Sequence, residues 1–107
     1  MSAREQTASR FQGRVPLAAR AVLALLERIG HGRVEVALPD GSLRALGGGA
    51  PVARLDVADW GVFGAALRRG DIGFAESFID GRWSSPDLAQ LLTVIARNRA
   101  AIERAVY

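Results

Sequence analysis

Three acidic residues lie close together in the second half of the chain and are candidates for chemistry. Glu76 and Asp80 have the spacing that places two carboxylates on one face of a helix, with Asp71 shortly before them. Paired carboxylates can act as a general acid and base, or bind a metal ion. A structural role fits the same residues: Asp71 or Gly73 opens a short helix, Glu76 lies in its first turn, and Asp80 with Gly81 ends it. We expect the structural role.

The single histidine and a run of glycines are further candidates. His31 would need to meet Ser77 and an acid to form a catalytic triad, whereas an exposed or helix-capping histidine requires no such meeting. Glycines 47–49 follow a predicted strand, as in phosphate-binding loops, but they lead to Pro51 and another strand instead of a Lys-Ser/Thr pair and a helix. We expect a solvent-exposed or helix-capping histidine and a loop that bends the chain.

Aromatic residues are concentrated between positions 60 and 83. Most of them should pack in the core, because a domain of this size needs the area that they bury. The alternative is that one or two line a groove for an acyl chain or lie at a lipid headgroup layer. The candidates for contact with lipid or with another domain are three aromatic residues and one adjacent arginine pair: Phe74, Phe78, Trp83, Arg68 and Arg69.

Composition narrows the classes of function. The chain has 107 residues, no cysteine and one histidine, so disulfide frameworks, thiol chemistry and zinc clusters are excluded, and we expect no metal site. All of its basic residues are arginine, and the net charge is only +3. The arginines are scattered, which is typical of solvated helix faces and leaves a small arginine-rich nucleic-acid-binding domain as the weaker alternative.

These residues must be positioned by a small α+β domain. The sequence predicts a polar, flexible tail over residues 1–13 and one domain over residues 14–107. Apolar residues with helical spacing predict a leading helix that ends at Gly30. Alternating residues then predict a hairpin around a Pro39-Asp40-Gly41 turn and a third strand over 52–57, hence a small three-stranded antiparallel sheet.

Three helices are predicted after the sheet. The first is capped by Asp59 and closes at Gly70, and a short segment over 74–79 follows it. Ser85 is the predicted N-cap of the last helix, and Pro86 occupies its first position. This long helix extends toward Val106 and has an apolar stripe at Leu88, Leu91, Leu92 and Ile95.

Residues 70–83 read Gly-Asp-Ile-Gly-Phe-Ala-Glu-Ser-Phe-Ile-Asp-Gly-Arg-Trp. This segment closely resembles the Gly-Asp-x-Gly-x-x-Glu-x-Tyr-x-x-Gly-x-Trp segment in the N-terminal region of cyclopropane-fatty-acyl-phospholipid synthases, which are S-adenosylmethionine-dependent methyltransferases acting on unsaturated lipid chains. The predicted hairpin and the helix after Ser85 also resemble this family, so that the likeness spans about residues 22–99. Phe78 stands where the family usually has tyrosine.

The resemblance implies an accessory role. In this family S-adenosylmethionine binds a Rossmann-like domain that follows the region in question, and residues 1–107 contain no strand, glycine-rich turn and helix of that kind. We therefore expect no catalytic residue, no cofactor-binding residue and no methyl transfer by this chain alone. The implied partners are a catalytic methyltransferase domain, in the same chain or a separate one, and a phospholipid surface. The alternative is a stand-alone interaction module that partners a separate methyltransferase, and self-association is left open in both cases. The expected location is the cytoplasm, peripheral to the inner membrane face.

Overall fold

A computed structural model describes residues 15–106, and the predicted tail over residues 1–13 lies outside them. A helix is followed by three strands, a long bent helix, a very short strand and two final helices, and the α+β class predicted from the sequence is confirmed. In chain order the elements are α1 (Leu17–Glu27), β1 (Arg33–Ala37), β2 (Leu43–Gly47), β3 (Val52–Val57), α2 (Gly61–Ile79), β4 (Trp83–Ser84), α3 (Leu88–Arg97) and α4 (Arg99–Val106).

Helix α1 covers one side of the core with its apolar stripe. Ala19 and Leu23, which are spaced i and i+4, are buried, and Val22 and Leu26 are partly buried and pack against the core. The helix ends at Glu27, three residues before the glycine that was predicted to end it. Ile29 therefore belongs to the following loop, where its side chain is nonetheless buried.

The sheet has four strands in the order β2-β1-β3-β4 and is mixed. Strands β1 and β2 are antiparallel, as are β3 and β4, but β1 and β3 run parallel, with Arg33 opposite Val52 and Ala37 opposite Asp56. The prediction of three antiparallel strands is wrong in this detail. Parallel neighbours require a long connection, and here the whole of β2 serves as that connection.

The glycine-rich link after β2 explains the parallel pair. It crosses the start of β1 instead of folding back beside β2, and the Pro51 carbonyl accepts a 2.9 Å hydrogen bond from the Arg33 amide. A Cβ at Gly47 would lie 2.6 Å from the Ile29 side chain, and a Cβ at Gly32 would lie 2.8 Å from the Pro51 oxygen. Because both positions also have positive φ angles, only glycine allows the chain to cross this closely.

The hairpin turn between β1 and β2 forms at the predicted Pro39-Asp40-Gly41 sequence. Asp40 Oδ1 accepts hydrogen bonds from the Ser42 amide at 2.9 Å and from the Ser42 hydroxyl at 2.6 Å. These bonds favour the ionised carboxylate and lower the pKa of Asp40. A lowered pKa in the folded state adds stability above the ordinary pKa of the group, and this contribution is lost as the pH falls through the folded value.

One face of the sheet packs against the helices and forms the core. The pattern is strict in β3, where Ala53, Leu55 and Val57 are buried and the residues between them are not. The opposite face carries the Arg54–Asp56 ion pair, at 2.9 Å. The largest fully buried side chains come from the strands and from the helices above them: Phe63, Leu46, Leu91, Val34, Val36, Val62 and Val94.

The last predicted helix is divided into two. Asp87 is its N-cap and accepts a 3.0 Å hydrogen bond from the Gln90 amide, while the predicted cap, Ser85, instead accepts from the Asp87 amide at 3.3 Å. The helix then breaks at Asn98, between α3 and α4. The prediction of one long helix toward Val106 is therefore wrong in this detail, since two helices cover this part of the chain.

The side chain of Asn98, at the break between α3 and α4, forms hydrogen bonds with a loop that is distant in sequence. Its Oδ1 atom accepts hydrogen bonds from the amides of Gly30 and His31, both at 3.0 Å, and its Nδ2 atom donates to the carbonyls of His31 and Val94, both at 2.7 Å. Asn98 is buried, with 2% of its surface exposed. Its carboxamide thus joins the loop after α1 to the junction of α3 and α4, and all four of its hydrogen-bonding positions are used.

We predict that Asn98→Ala lowers the free energy of unfolding by about 2–4 kcal/mol, because two loop amides lose their acceptor in a partly buried site. Urea denaturation measures the change. The exposed neighbour provides the control, since Arg97→Ala should change stability by no more than about 0.5 kcal/mol. Equal small effects of the two substitutions would show that the carboxamide does not hold the loop.

Candidate membrane and docking surface

Helix α2 is sharply kinked at Gly70, the first residue of the family-like segment. Gly70 has φ 58° and ψ −136°, which is outside the helical region, so α2 consists of two arms over 61–69 and 71–79. Left-handed φ values are costly for residues with a Cβ atom and free of that cost for glycine. Gly70 therefore ends the first arm. The second arm starts in a new direction and contacts the first arm at Gly73.

The two arms touch closely at Gly73. A Cβ atom at this position would overlap the carbonyl oxygen of Ala65 in the first arm, and the glycine is buried. One turn later, the Ser77 hydroxyl is buried and donates a 2.8 Å hydrogen bond to the Gly73 carbonyl. Small residues at 73 and 77 thus form the inner face of the second arm, where backbone packs against backbone.

Three aromatic rings fix the second arm to strand β4. The Trp83 indole stacks on Phe74, with ring centroids 4.2 Å apart and planes 13° from parallel, and it meets Phe78 at 4.8 Å and 48°. Its Nε1 atom donates a 2.8 Å hydrogen bond to the Phe74 carbonyl. Among the predicted aromatic contact residues, Trp83 is buried, Phe74 is half-buried and Phe78 is exposed.

The second arm ends in a tight glycine turn. Gly81 has φ 74°, its amide donates to the Phe78 carbonyl at 3.0 Å, and the next amide, that of Arg82, donates to the Ser77 carbonyl at 2.9 Å. This is the Schellman arrangement, in which a left-handed residue satisfies the last helical carbonyls. The predicted ending at Asp80 and Gly81 is confirmed. After this turn, Trp83 lies against the second arm, where it contacts Phe74.

The outer face of the second arm is apolar and exposed. Ile72 and Ile79 are 62% and 79% exposed, and Phe78 is 40% exposed. Their spacing places them, with the exposed Ala75, on the side of the arm opposite Gly73 and Ser77. We call these four residues the apolar ridge: Ile72, Ala75, Phe78 and Ile79. Exposed large side chains grouped in this way mark interaction sites more often than isolated ones do.

Sequence reasoning identified only one of these four residues. Ile72, Ala75 and Ile79 occupy positions that the family pattern leaves unspecified, whereas Phe78 occupies a position that it specifies. The i, i+3, i+7 spacing of the three was a visible signal of a common helix face. What the sequence alone did not reveal was that this face points away from the core.

Ion pairs surround the ridge. Arg69 pairs with Glu76 across the bend, and Arg99 of α4 pairs with Asp71 and, at 3.0 Å, with Glu103. The pKa of Arg99 is raised by its hydrogen bond to Glu103 and then by the charge of Asp71. The predicted contact residue Arg68 is exposed and has no ion pair within residues 15–104, whose side chains are described.

The candidates for catalysis take structural roles. Glu76 and Asp71 are neutralised by arginines, as just described, and no group of three His, Asp or Glu residues that could hold a metal ion occurs in the described part of the chain. Ser77 is buried and spends its hydroxyl on Gly73, whereas His31 is exposed and engages Asn98 through its backbone. The glycines at 47–49 lead into β3, not into a helix.

No known protein family, curated protein or solved structure matches this chain. Within the described residues, no helix combines the length and the apolar character needed to cross a bilayer. The resemblance of residues 70–83 therefore stays a prediction. In the structure, Gly73 and Trp83 of this segment pack the second arm of α2 against the rest of the domain, and the apolar ridge faces outward.

We predict that Gly73→Ala lowers the free energy of unfolding by about 1–3 kcal/mol, because the added methyl group overpacks the contact between the two arms. Thermal or urea denaturation gives the value. Gly64→Ala is the matched control in the first arm, since its Cβ would meet only the end of the flexible Arg68 side chain. That substitution should be neutral or stabilise by up to about 1 kcal/mol. Similar losses in both variants would contradict the close contact at Gly73.

Proposed function

We propose that this chain is a non-catalytic accessory domain of a cyclopropane-fatty-acyl-phospholipid synthase type methyltransferase. Its role is to engage the phospholipid surface that contains the substrate and to dock on the catalytic domain. The observation that carries the proposal is the apolar ridge, formed on the very segment that resembles the family. A protein that acts on acyl chains in a bilayer needs a surface of this kind, because its catalytic domain must stay near lipid.

The size of the ridge decides the strength of the interaction. Full burial of a large apolar side chain contributes about 1.5–3 kcal/mol, and Ile72, Phe78 and Ile79 are already partly buried within the domain. Their insertion into the boundary between headgroups and acyl chains therefore adds on the order of 3–5 kcal/mol, which corresponds to weak, reversible binding. Reversible contact suits an accessory domain that must move among lipid molecules.

Around the ridge, one exposed arginine, Arg68, and one exposed aspartate, Asp80, have no ion pair within residues 15–104. Asp71 and Glu76 are neutralised by Arg99 and Arg69, so that they do not repel acidic headgroups. Arg68 lies in the first arm just before the bend and has no acidic partner within residues 15–104. A basic side chain near an anionic membrane surface contributes about 1 kcal/mol. The apolar term is thus the larger one, and the electrostatic preference is small because the charge of Asp80 opposes that of Arg68.

The same ridge is suited to docking on a catalytic domain. Arg69 and Glu76 form a neutral rim, which a protein surface accepts without burying an unpaired charge. Membrane contact and docking then use neighbouring or overlapping residues, and one measurement must separate them. If the ridge only docks, the isolated chain does not bind vesicles but does bind a methyltransferase domain.

We predict that the chain sediments with vesicles containing anionic phospholipid and that Ile79→Glu reduces the bound fraction at least about tenfold at equal lipid. The substitution removes one of the largest ridge contacts and places a carboxylate at the interface, which makes insertion unfavourable. Leu92→Glu is the control, since Leu92 is 47% exposed on α3, a different helix. The control should bind as the parent chain does.

Vesicles of zwitterionic lipid alone should bind somewhat less well, because only the electrostatic contribution is lost. Absence of binding at low salt would remove the membrane role and leave docking, which is measured by co-purification with a catalytic methyltransferase domain. An equal loss in the Ile79 and Leu92 variants would contradict the assignment of the ridge, and loss of both vesicle binding and docking would contradict the proposed function.

A further inference from the structure

A second surface, on helices that do not contain the ridge, has the features of a ligand site. An open groove of about 300 Å³ lies between the C-terminal end of α1 and helix α4. Its apolar part includes the buried Ile29 side chain, and two arginines stand at its sides. The lining residues are Leu25, Arg28, Ile29, Ala101, Ile102 and Arg104.

Within residues 15–104, neither arginine of the groove has a counter-ion. Each is preceded in sequence by a glutamate, but Glu27 pairs with Arg44 at 3.3 Å and Glu103 pairs with Arg99 at 3.0 Å. No ion pair within residues 15–104 involves Arg28 or Arg104, and the groove lining contains no acidic residue. The Nε atom of Arg104 makes only a long 3.4 Å hydrogen bond to a carbonyl of its own helix.

The hydrogen bonds of Asn98 preform the groove. The residue stands immediately before α4 and binds the loop that follows α1, through the amides of Gly30 and His31. The two walls of the groove, the end of α1 and the start of α4, are therefore fixed relative to one another by a buried carboxamide. A preformed site binds its ligand without first ordering the chain.

We propose that this groove binds a small amphiphile with an anionic head and a short apolar chain. The guanidinium groups of Arg28 and Arg104 are suited to a carboxylate or phosphate, which they can contact through paired N–H donors. The side chains of Leu25, Ile29 and Ile102 provide an apolar floor for a hydrocarbon chain. The site is separate from the ridge and does not depend on the proposed function.

Titration of the ¹⁵N-labelled chain with decanoate, followed by NMR, tests this site directly. We expect saturable shifts in the amide signals of residues 25–29 and 101–104. Inorganic phosphate should bind at the same arginines at least about tenfold more weakly, because it lacks the chain. Decyltrimethylammonium, which has the same chain and the opposite charge, should not produce these shifts at equal concentration.

Variants separate the groove from other surfaces. Arg28→Gln/Arg104→Gln should weaken decanoate binding at least about tenfold, since it removes the charge-assisted hydrogen bonds. Arg97→Gln, at an exposed arginine without an ion pair in the described residues, should leave binding unchanged. Circular dichroism confirms that each variant is folded.

Three results would overturn the proposal: shifts confined to residues 71–79, equal binding of the cationic amphiphile, or no loss of affinity in the double arginine variant. The first would place the apolar chain on the ridge, and the second would reduce the interaction to adsorption of hydrocarbon. Because vesicle binding is measured with ridge variants and decanoate binding with groove variants, failure of one proposal leaves the other testable.

Discussion

The exposed surface of helix α2 depends on the kink at Gly70. Gly70, with its positive φ angle, changes the direction of the helix between the two arms. Gly73, which has no Cβ, allows the backbone of the second arm to contact Ala65 in the first. These two positions decide which face of the arm is buried. With Gly73 and Ser77 inward, Ile72 and Ile79 have no route to the core and must face outward.

The aromatic residues of the same segment support this arrangement from below. Trp83 is buried under the arm, stacked on Phe74 and hydrogen-bonded to its carbonyl. A residue that was expected to contact a partner thus lies beneath the proposed contact surface, and Phe78 is the point where the supporting cluster reaches the outside. The pattern of glycines and aromatics in residues 70–83 is accounted for by the fold, and the residues between them include the exposed Ile72, Ala75 and Ile79.

Features set by neighbours in the sequence could be predicted well. The α+β class, the turn at Asp40, the alternation in β3 and the ending at Gly81 follow from local rules of turn chemistry and periodicity. The candidate site was predicted in part. Its segment and its exposed aromatic residue, Phe78, were identified, whereas the two most exposed isoleucines were not.

Features set by distant contacts could not be predicted. Asn98 reads as an ordinary residue in a helical stripe, and its role becomes visible only when Gly30 and His31, far away in sequence, lie beside it. The parallel pairing of β1 with β3 likewise depends on the close crossing at Gly32 and Gly47. The groove between α1 and α4 likewise lies where Asn98 binds the loop after α1 through the amides of Gly30 and His31. Periodicity describes one element at a time, and it contains no information on which elements meet.

The proposed insertion of the ridge into the lipid interface is tested most directly by quenching of tryptophan fluorescence with brominated phospholipids. Ile79→Trp places a reporter on the ridge, Leu92→Trp places one on α3, and the parent chain gives the signal of its buried Trp83 and half-buried Trp60. With anionic vesicles, the account predicts strong quenching of the ridge reporter and none of the α3 reporter beyond the parent level. Equal quenching of the two, or none of either in the presence of bound vesicles, would contradict it.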